Sequence, residues 1–153
     1  FIADGYRNSR ILEYTSQGEK VREWGTPGNG PGQFRLPHSI AVDEEGVIYV
    51  ADRENGRIQY FDLEGNFLGM WTKYGKTFGL HLEPGVVWLA TEERDAENGA
   101  SGWLMKVDRG TGALLGYVDV GGVHGMTVLE NGDLMVGPGP VNQPKWFKRS
   151  INK

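Results

Sequence analysis

The sequence predicts an all-β fold made of repeated four-stranded meanders, and three observations carry that prediction. A segment recurs along the chain, 24 of the 153 residues are glycine, and short runs rich in Val, Ile, Tyr and Phe alternate with turns containing Gly, Asp and Asn. Glycine at this density suits many tight turns and disfavours helix. The recurrence is clearest where Ala3-Asp4-Gly5-Tyr6-Arg7-Asn8-Ser9-Arg10-Ile11 is echoed by Ala51-Asp52-Arg53-Glu54-Asn55-Gly56-Arg57-Ile58.

Aligned on this echo, Arg10-Ile11 falls on Arg57-Ile58, Gly18 on Gly65 and Trp24 on Trp71. The period of about 47 residues lies in the range of β-propeller blades. The first unit, residues 1–25, enters inside a blade and is incomplete. The second, residues 26–72, is the fullest: four β-rich segments, 39–43, 47–51, 57–61 and 67–71, are separated by turns at Glu44-Glu45-Gly46 and Leu63-Glu64-Gly65-Asn66. The third, residues 73–119, keeps the order with Gly79-Leu80-His81-Leu82, Val86-Val87-Trp88-Leu89-Ala90, Leu104-Met105-Lys106-Val107 and Leu114-Leu115-Gly116-Tyr117-Val118. The fourth, residues 120–153, starts with Gly125-Met126-Thr127-Val128, turns at Glu130-Asn131-Gly132 and fades after Trp146-Phe147. A blade cannot bury both faces alone, so neighbours must stack. About three and a half blades leave a ring open. Either two copies close it as a homodimer, or further blades precede Phe1, and the break inside a blade favours the second.

Composition narrows the function classes. A formal net charge of −4 with both signs interspersed gives no basic stripe for phosphates, so nucleic acid is not an expected partner. No apolar run reaches membrane-spanning length. The absence of cysteine rules out disulfides and thiolate metal sites, leaving His, Asp, Glu and backbone oxygens as possible ligands. The compartment stays open. The start at Phe1 rather than Met reads either as a chain from which something has been removed or as part of a longer product.

In a meander, the loop entering the first strand and the loop leaving the second share one face. Pro37-His38 and Val123-His124 enter first strands, while Gly5-Tyr6-Arg7, Arg53-Glu54, the acidic insertion from Glu92 to Gly99, and Gly137-Pro138-Gly139-Pro140 follow second strands. These segments are expected at one mouth. His38 and His124 could be two ligands of a divalent metal, or polar plugs bonded to backbone; a catalytic zinc typically has three protein ligands. The third unit has Phe78 at that place, and His81 is expected to pack or hydrogen-bond. Asp4/Asp52, Asn8/Asn55 and Arg10/Arg57 recur in register, as turn caps and carboxylate pairs would. Tyr6 and Arg53 differ between the copies and are the candidates for chemistry: a tyrosine near a metal and an arginine can act as general base, and a planar guanidinium suits a carboxylate. Trp24, Trp71 and Tyr117 are expected to pack between blades, the acidic insertion to be a solvated loop, and Gly28-Asn29-Gly30-Pro31-Gly32 to be a connector rather than a phosphate loop.

Pro31-Gly32-Gln33-Phe34, Leu36-Pro37-His38 and Ile40-Ala41-Val42-Asp43 together resemble NHL-repeat propellers. Asp4-Gly5-Tyr6 with Asn8-Ser9-Arg10-Ile11, and residues 51–59, resemble more specifically the lyase domain of the peptidylglycine alpha-amidating enzymes. That resemblance is strongest over residues 3–59 and traceable to His124. It implies a six-bladed ring with zinc on the axis held by three histidines, and cleavage of a peptidyl-α-hydroxyglycine into peptide amide and glyoxylate. It further implies His38 and His124 as two zinc ligands, Tyr6 as the catalytic tyrosine and Arg53 as one of two active-site arginines. The third histidine and second arginine would lie in blades preceding Phe1. Gly125 stands where the family carries an Asp involved in calcium binding, which puts structural calcium in question, and Arg7 stands in place of a disulfide cysteine. The resemblance also favours a secreted or periplasmic setting. Two functions follow: part of a zinc-dependent lyase acting on a peptide or small-molecule substrate, inactive as this piece alone, or a non-catalytic NHL-type scaffold that binds a protein or small ligand at its mouth.

Overall fold

The computed structural model describes residues 1–95, 99–137 and 143–148. The chain divides into two compact units, Phe1–Thr77 and Phe78–Lys153.

In the first unit β1 (Ile2–Asp4), β2 (Arg10–Tyr14) and β3 (Lys20–Trp24) form an antiparallel meander. A connector follows, in which β4 (Thr26–Pro27) and β5 (Gln33–Phe34) pair in parallel. A four-stranded sheet of β6 (Pro37–Val42), β7 (Ile48–Asp52), β8 (Arg57–Phe61) and β9 (Phe67–Trp71) comes next, with strands adjacent in chain order. Local chemistry fixes its hairpins. Asp43 accepts the N–H groups of Glu45 at 3.0 Å and Val47 at 2.8 Å through one carboxylate oxygen, and Gly46 completes the turn at φ 84°, a left-handed value that glycine adopts without a Cβ clash. Asp62 and Gly65 repeat the device between β8 and β9.

The two sheets of this unit share a core. Ile11 and Ala3 with Trp24 come from the first sheet, Ile48, Val50, Phe61 and Ile40 from the second, and Phe34 from the connector. The period of two selects this set. In β7 the residues Ile48, Val50 and Asp52 lie on one face, opposite Phe61, Gln59 and Arg57 of β8. The upper end of the same apolar ladder is therefore polar: Asp52 and Arg57, exposed by 0% and 6%, pair at 2.7 Å. Burying each large apolar side chain contributes about 1.5–3 kcal/mol, whereas exposed pairs such as Lys20–Glu23 are screened by solvent and contribute little. Sheet stacking holds this unit together.

The second unit repeats the plan. β10 (Lys76–Glu83), which begins just ahead of the boundary, β11 (Val86–Asp95), β12 (Gly99–Asp108) and β13 (Leu114–Asp119) make one sheet, and β14 (Gly125–Val128), β15 (Leu134–Gly137) and β16 (Lys145–Phe147) another. Ala90 and Leu104 of the first, Leu134 and Val136 of the second, and Val120 and Val123 between them form its core. Antiparallel meanders stacked in chain order through shared cores are the construction of propeller blades, and the fold class is the one the repeat predicts.

Two expectations need correction. The acidic insertion is not a solvated loop: β11 and β12 run on as paired strands until Asp95 faces Gly99, while Ala96, Glu97 and Asn98 lie outside the described residues. The ladder can extend because Gly102 has no side chain. A Cβ there would overlap the carbonyl oxygen of Gly121, and the Gly102 carbonyl accepts the Val120 N–H at 2.8 Å. Tyr117 is also not packed like Trp24 and Trp71. It is 67% exposed on β13, a strand exposed at every residue, whereas Trp24 meets Phe61 and Trp71 meets Tyr49 and Tyr60.

Candidate functional site

The site of the first unit is assembled where three loop segments close on one another. Gly5 follows β1 and abuts the start of β6: an ideal Cβ at Gly5 would overlap the carbonyl oxygen of Pro37 and lie 2.9 and 3.0 Å from its carbonyl carbon and nitrogen. Only hydrogen fits there. The approach brings the next residues together, with the Tyr6 hydroxyl 3.2 Å from Nε2 of His38 and the two rings 5.7 Å apart, edge to face.

His38 is aimed by an irregularity. Pro37 pairs with Asp52 and Ser39 with Ala51, so His38 is an extra residue in the ladder, a β-bulge. It thus lies inside β6 rather than immediately ahead of it. The preceding Leu36 has φ 59°, and among the described residues no other non-glycine residue has positive φ. Such a conformation costs on the order of 1–3 kcal/mol and persists only when its surroundings enforce it. Here the enforcement is visible, because the carbonyls of Leu36 and Arg35 accept the N–H groups of Arg53 at 3.3 Å and Glu54 at 3.0 Å. These bonds seat the short 3-10 turn Arg53–Asn55, which ends on left-handed Gly56. The Arg53 guanidinium, 12% exposed, is then 5.6 Å from the centroid of the Tyr6 ring.

The carboxylates around this cluster are engaged. Glu54 accepts from Lys76 at 2.7 Å and Arg53 at 3.0 Å, and its carboxyl is held below the usual range, first by the Lys76 hydrogen bond. Asp4 is likewise lowered, by Asn8 first and then Arg10. Asp52 accepts from Arg57, Asn55, Gln59 and the Arg35 N–H. Arg57 in turn donates to the carbonyls of Asn29, Gly30 and Gln33, which pins the glycine-rich connector under the site. The recurrent Asp, Asn and Arg are scaffold here.

In the second unit His124 is exposed. Its N–H donates to Gly137 at 2.7 Å, and its ring centroid is 5.2 Å from that of Phe78. Pro138, Gly139 and Pro140 lie outside the described residues. His81 stands 3.9 Å from Glu83. Sequence reasoning placed Glu92 in a solvated loop, whereas it is 3% exposed and accepts the Val123 N–H at 2.8 Å, directly ahead of His124. Counting from Ala51 and Ala90 puts Glu92 at the place of Arg53, a signal available in the repeat. Among the described residues no group of three or more His, Cys, Asp or Glu is placed to hold a metal ion, so the residues present do not make a complete zinc site. Nε2 of His38, moreover, has one in-plane position, and cannot keep Tyr6 there while binding a metal.

Residues 34–61, which carry the His38 bulge and the Arg53 turn, match the NHL repeat. A peptidyl-glycine alpha-amidating monooxygenase A of Xenopus laevis is 43% identical to this chain over 99 residues, covering 59% of it and 11% of the relative. A probable peptidyl-alpha-hydroxyglycine alpha-amidating lyase of Caenorhabditis elegans is 44% identical over 64 residues, covering 40% of this chain and 18% of the relative. The chain thus spans a small part of these relatives. A crystal structure of a functionally unknown protein from Desulfotomaculum acetoxidans superimposes with a TM-score of 0.66 at 11% identity, covering 93% of this chain and 44% of that one, a likeness of fold alone.

Proposed function

We propose that the chain is part of an amidating-type lyase that cleaves a peptidyl-α-hydroxyglycine, or a closely related carbinolamide, to an amide and glyoxylate. The observation that carries this reading is the meeting of the Tyr6 hydroxyl and the Arg53 guanidinium, which differ between otherwise matching repeats, with Nε2 of His38 on the β6 bulge. The similarity to a protein named as such a lyase supports it.

The chemistry asks for a base and an anion holder. Tyr6 is the base that takes the proton of the substrate hydroxyl; the C–N bond breaks as the new C=O forms, and the departing amide nitrogen receives that proton. Positioned proton transfer of this kind contributes roughly 10²–10⁴-fold. Arg53 stabilises the phenolate or holds the substrate carboxylate through its planar donor fork. Tyr6 is exposed, so a ligand can approach it from solvent. Where a longer protein supplies further donors, His38 would hold zinc through Nε2 only by giving up its Tyr6 contact, and no step is routed through the metal.

The test is glyoxylate release by the longest natural protein that carries these residues. Tyr6→Phe keeps the ring under Arg53 and deletes the oxygen. Turnover should fall by about 10²-fold or more with the unfolding midpoint almost unchanged. Glyoxylate release by Tyr6→Phe at the parent's rate would sink the assignment, and no release from the parent with intact binding of a ligand would favour the non-catalytic scaffold.

A further inference from the structure

We infer that the loops around Tyr6 bind an acidic peptide, with Arg7 and Arg35 reading a negative charge additional to the carboxylate assigned to Arg53; that carboxylate's place rests on the lyase reading. The segments that carry Arg7, Arg35 and Arg53 meet through Gly5 against Pro37, Tyr6 beside His38, and the N–H groups of Arg53 and Glu54 on the carbonyls of Leu36 and Arg35. Lys76 adds a fourth cation through Glu54.

Glu54 offsets one of these four charges, and the other carboxylates at the same place are engaged elsewhere. Glu54 is taken by Lys76 and Arg53, Asp4 by Asn8 and Arg10, and Asp52 by Arg57. Arg7 and Arg35 are exposed, and among the described residues no acidic side chain pairs with either. A chain with formal net charge −4 therefore concentrates unmatched positive charge at one loop cluster. An exposed arginine is ordinarily a solvated surface charge. Two on the segments that carry an exposed tyrosine and a histidine can act on a ligand within a Debye length, about 8–10 Å, and fixed charge of one sign raises the local concentration of an opposite one. Guanidinium forks select carboxylates by paired hydrogen bonds, which suits a Glu or Asp near the reacting end of a peptide.

The experiment compares binding of two short acetylated, glycine-extended peptides, one with Glu and one with Lys two residues before the terminal glycine, to the longest natural protein carrying this chain. Calorimetry at low and high ionic strength should show the acidic peptide binding about tenfold tighter at low salt, because two exposed charge pairs together contribute on that order, with the preference shrinking as salt rises. Arg7→Gln/Arg35→Gln should remove the preference and leave Lys-peptide binding in place. Equal affinity for both peptides, a preference for Lys, no binding of either, or a preference that survives the double substitution would each overturn the inference. Glyoxylate release from the hydroxylated peptides is scored separately, so a protein that prefers the acidic peptide without cleaving it defeats the lyase reading alone.

Discussion

Replacing Asp52 by alanine should be among the most damaging single changes in the first unit. The carboxylate is fully buried and accepts from Arg57 Nε at 2.7 Å, Asn55 at 2.8 Å, Gln59 at 3.2 Å and the Arg35 N–H at 2.7 Å. Asn55 and Gln59 keep carbonyl partners on Gly28 and Gln33, but Arg57 Nε and the Arg35 N–H lose the acceptor they use here. The guanidinium, 6% exposed, is left inside without its counter-charge. Breaking a buried pair from one side costs about 3–5 kcal/mol, a fall of roughly 2 M in a urea midpoint at an ordinary slope of about 2 kcal/mol/M. Removing both charges in Asp52→Ala/Arg57→Met should cost less than the two single changes added, since the uncompensated charge disappears. Asp4→Ala is the internal control: it breaks the matching pair of the first sheet, whose Asp4 and Arg10 side chains are 26% and 37% exposed, so water replaces the lost partner. Urea unfolding followed by tryptophan fluorescence reads the parent and all four variants, Arg57→Met included. If Asp52→Ala moved the midpoint no more than Asp4→Ala, or if the buried substitutions were additive, the account of this network would be wrong.

Gly5→Ala should separate Tyr6 from His38, because the new methyl group must displace the Pro37 backbone or its own loop; a shift near 1 Å is expected to lower turnover by about 10²-fold while secondary structure by circular dichroism persists. The stability of the protein should also fall on the acid side. Asp62 and Asp108 have folded pKa values below the ordinary 3.8, the first through the Asn66 side chain and the second through the Thr111 hydroxyl, and Glu54 lies below 4.5. Depressed folded values mean that their contribution is complete above the unfolded values and is lost as pH falls through the folded ones, so the decline should begin near pH 4.5 and deepen below 3.8. Midpoints measured from pH 6 to pH 2 check this, and Asp108→Asn should flatten part of the slope.

The repeat was enough to place most strands, because blade stacking demands the same apolar alternation each time: Ile48, Val50 and Phe61 are core for the reason that Ile11 is. It also separated Tyr6 and Arg53 from the recurrent Asp, Asn and Arg, which the structure shows holding turns and the connector. What the sequence did not disclose depends on contacts between distant backbones. Nothing in Leu36-Pro37-His38 announces a left-handed leucine or an extra ladder residue, since both arise from carbonyls held by the Arg53 turn. Gly5 gave no sign that it lies against Pro37. The acidic run after Thr91 looks solvent-seeking in one dimension, yet Glu92 turns inward because the Val123 N–H needs an acceptor.

The bulge at His38 also makes the sheet and its cluster respond differently to a change in length. Deleting that one residue would let Pro37 and Ser39 follow each other on the ladder opposite Asp52 and Ala51, a more regular pairing than the natural one. The shortened protein could be easier to fold and harder to unfold while having no imidazole under Tyr6. Chain length at this point therefore separates a sound blade from a working one, and stability screening of insertions and deletions would favour the variants from which the cluster has gone.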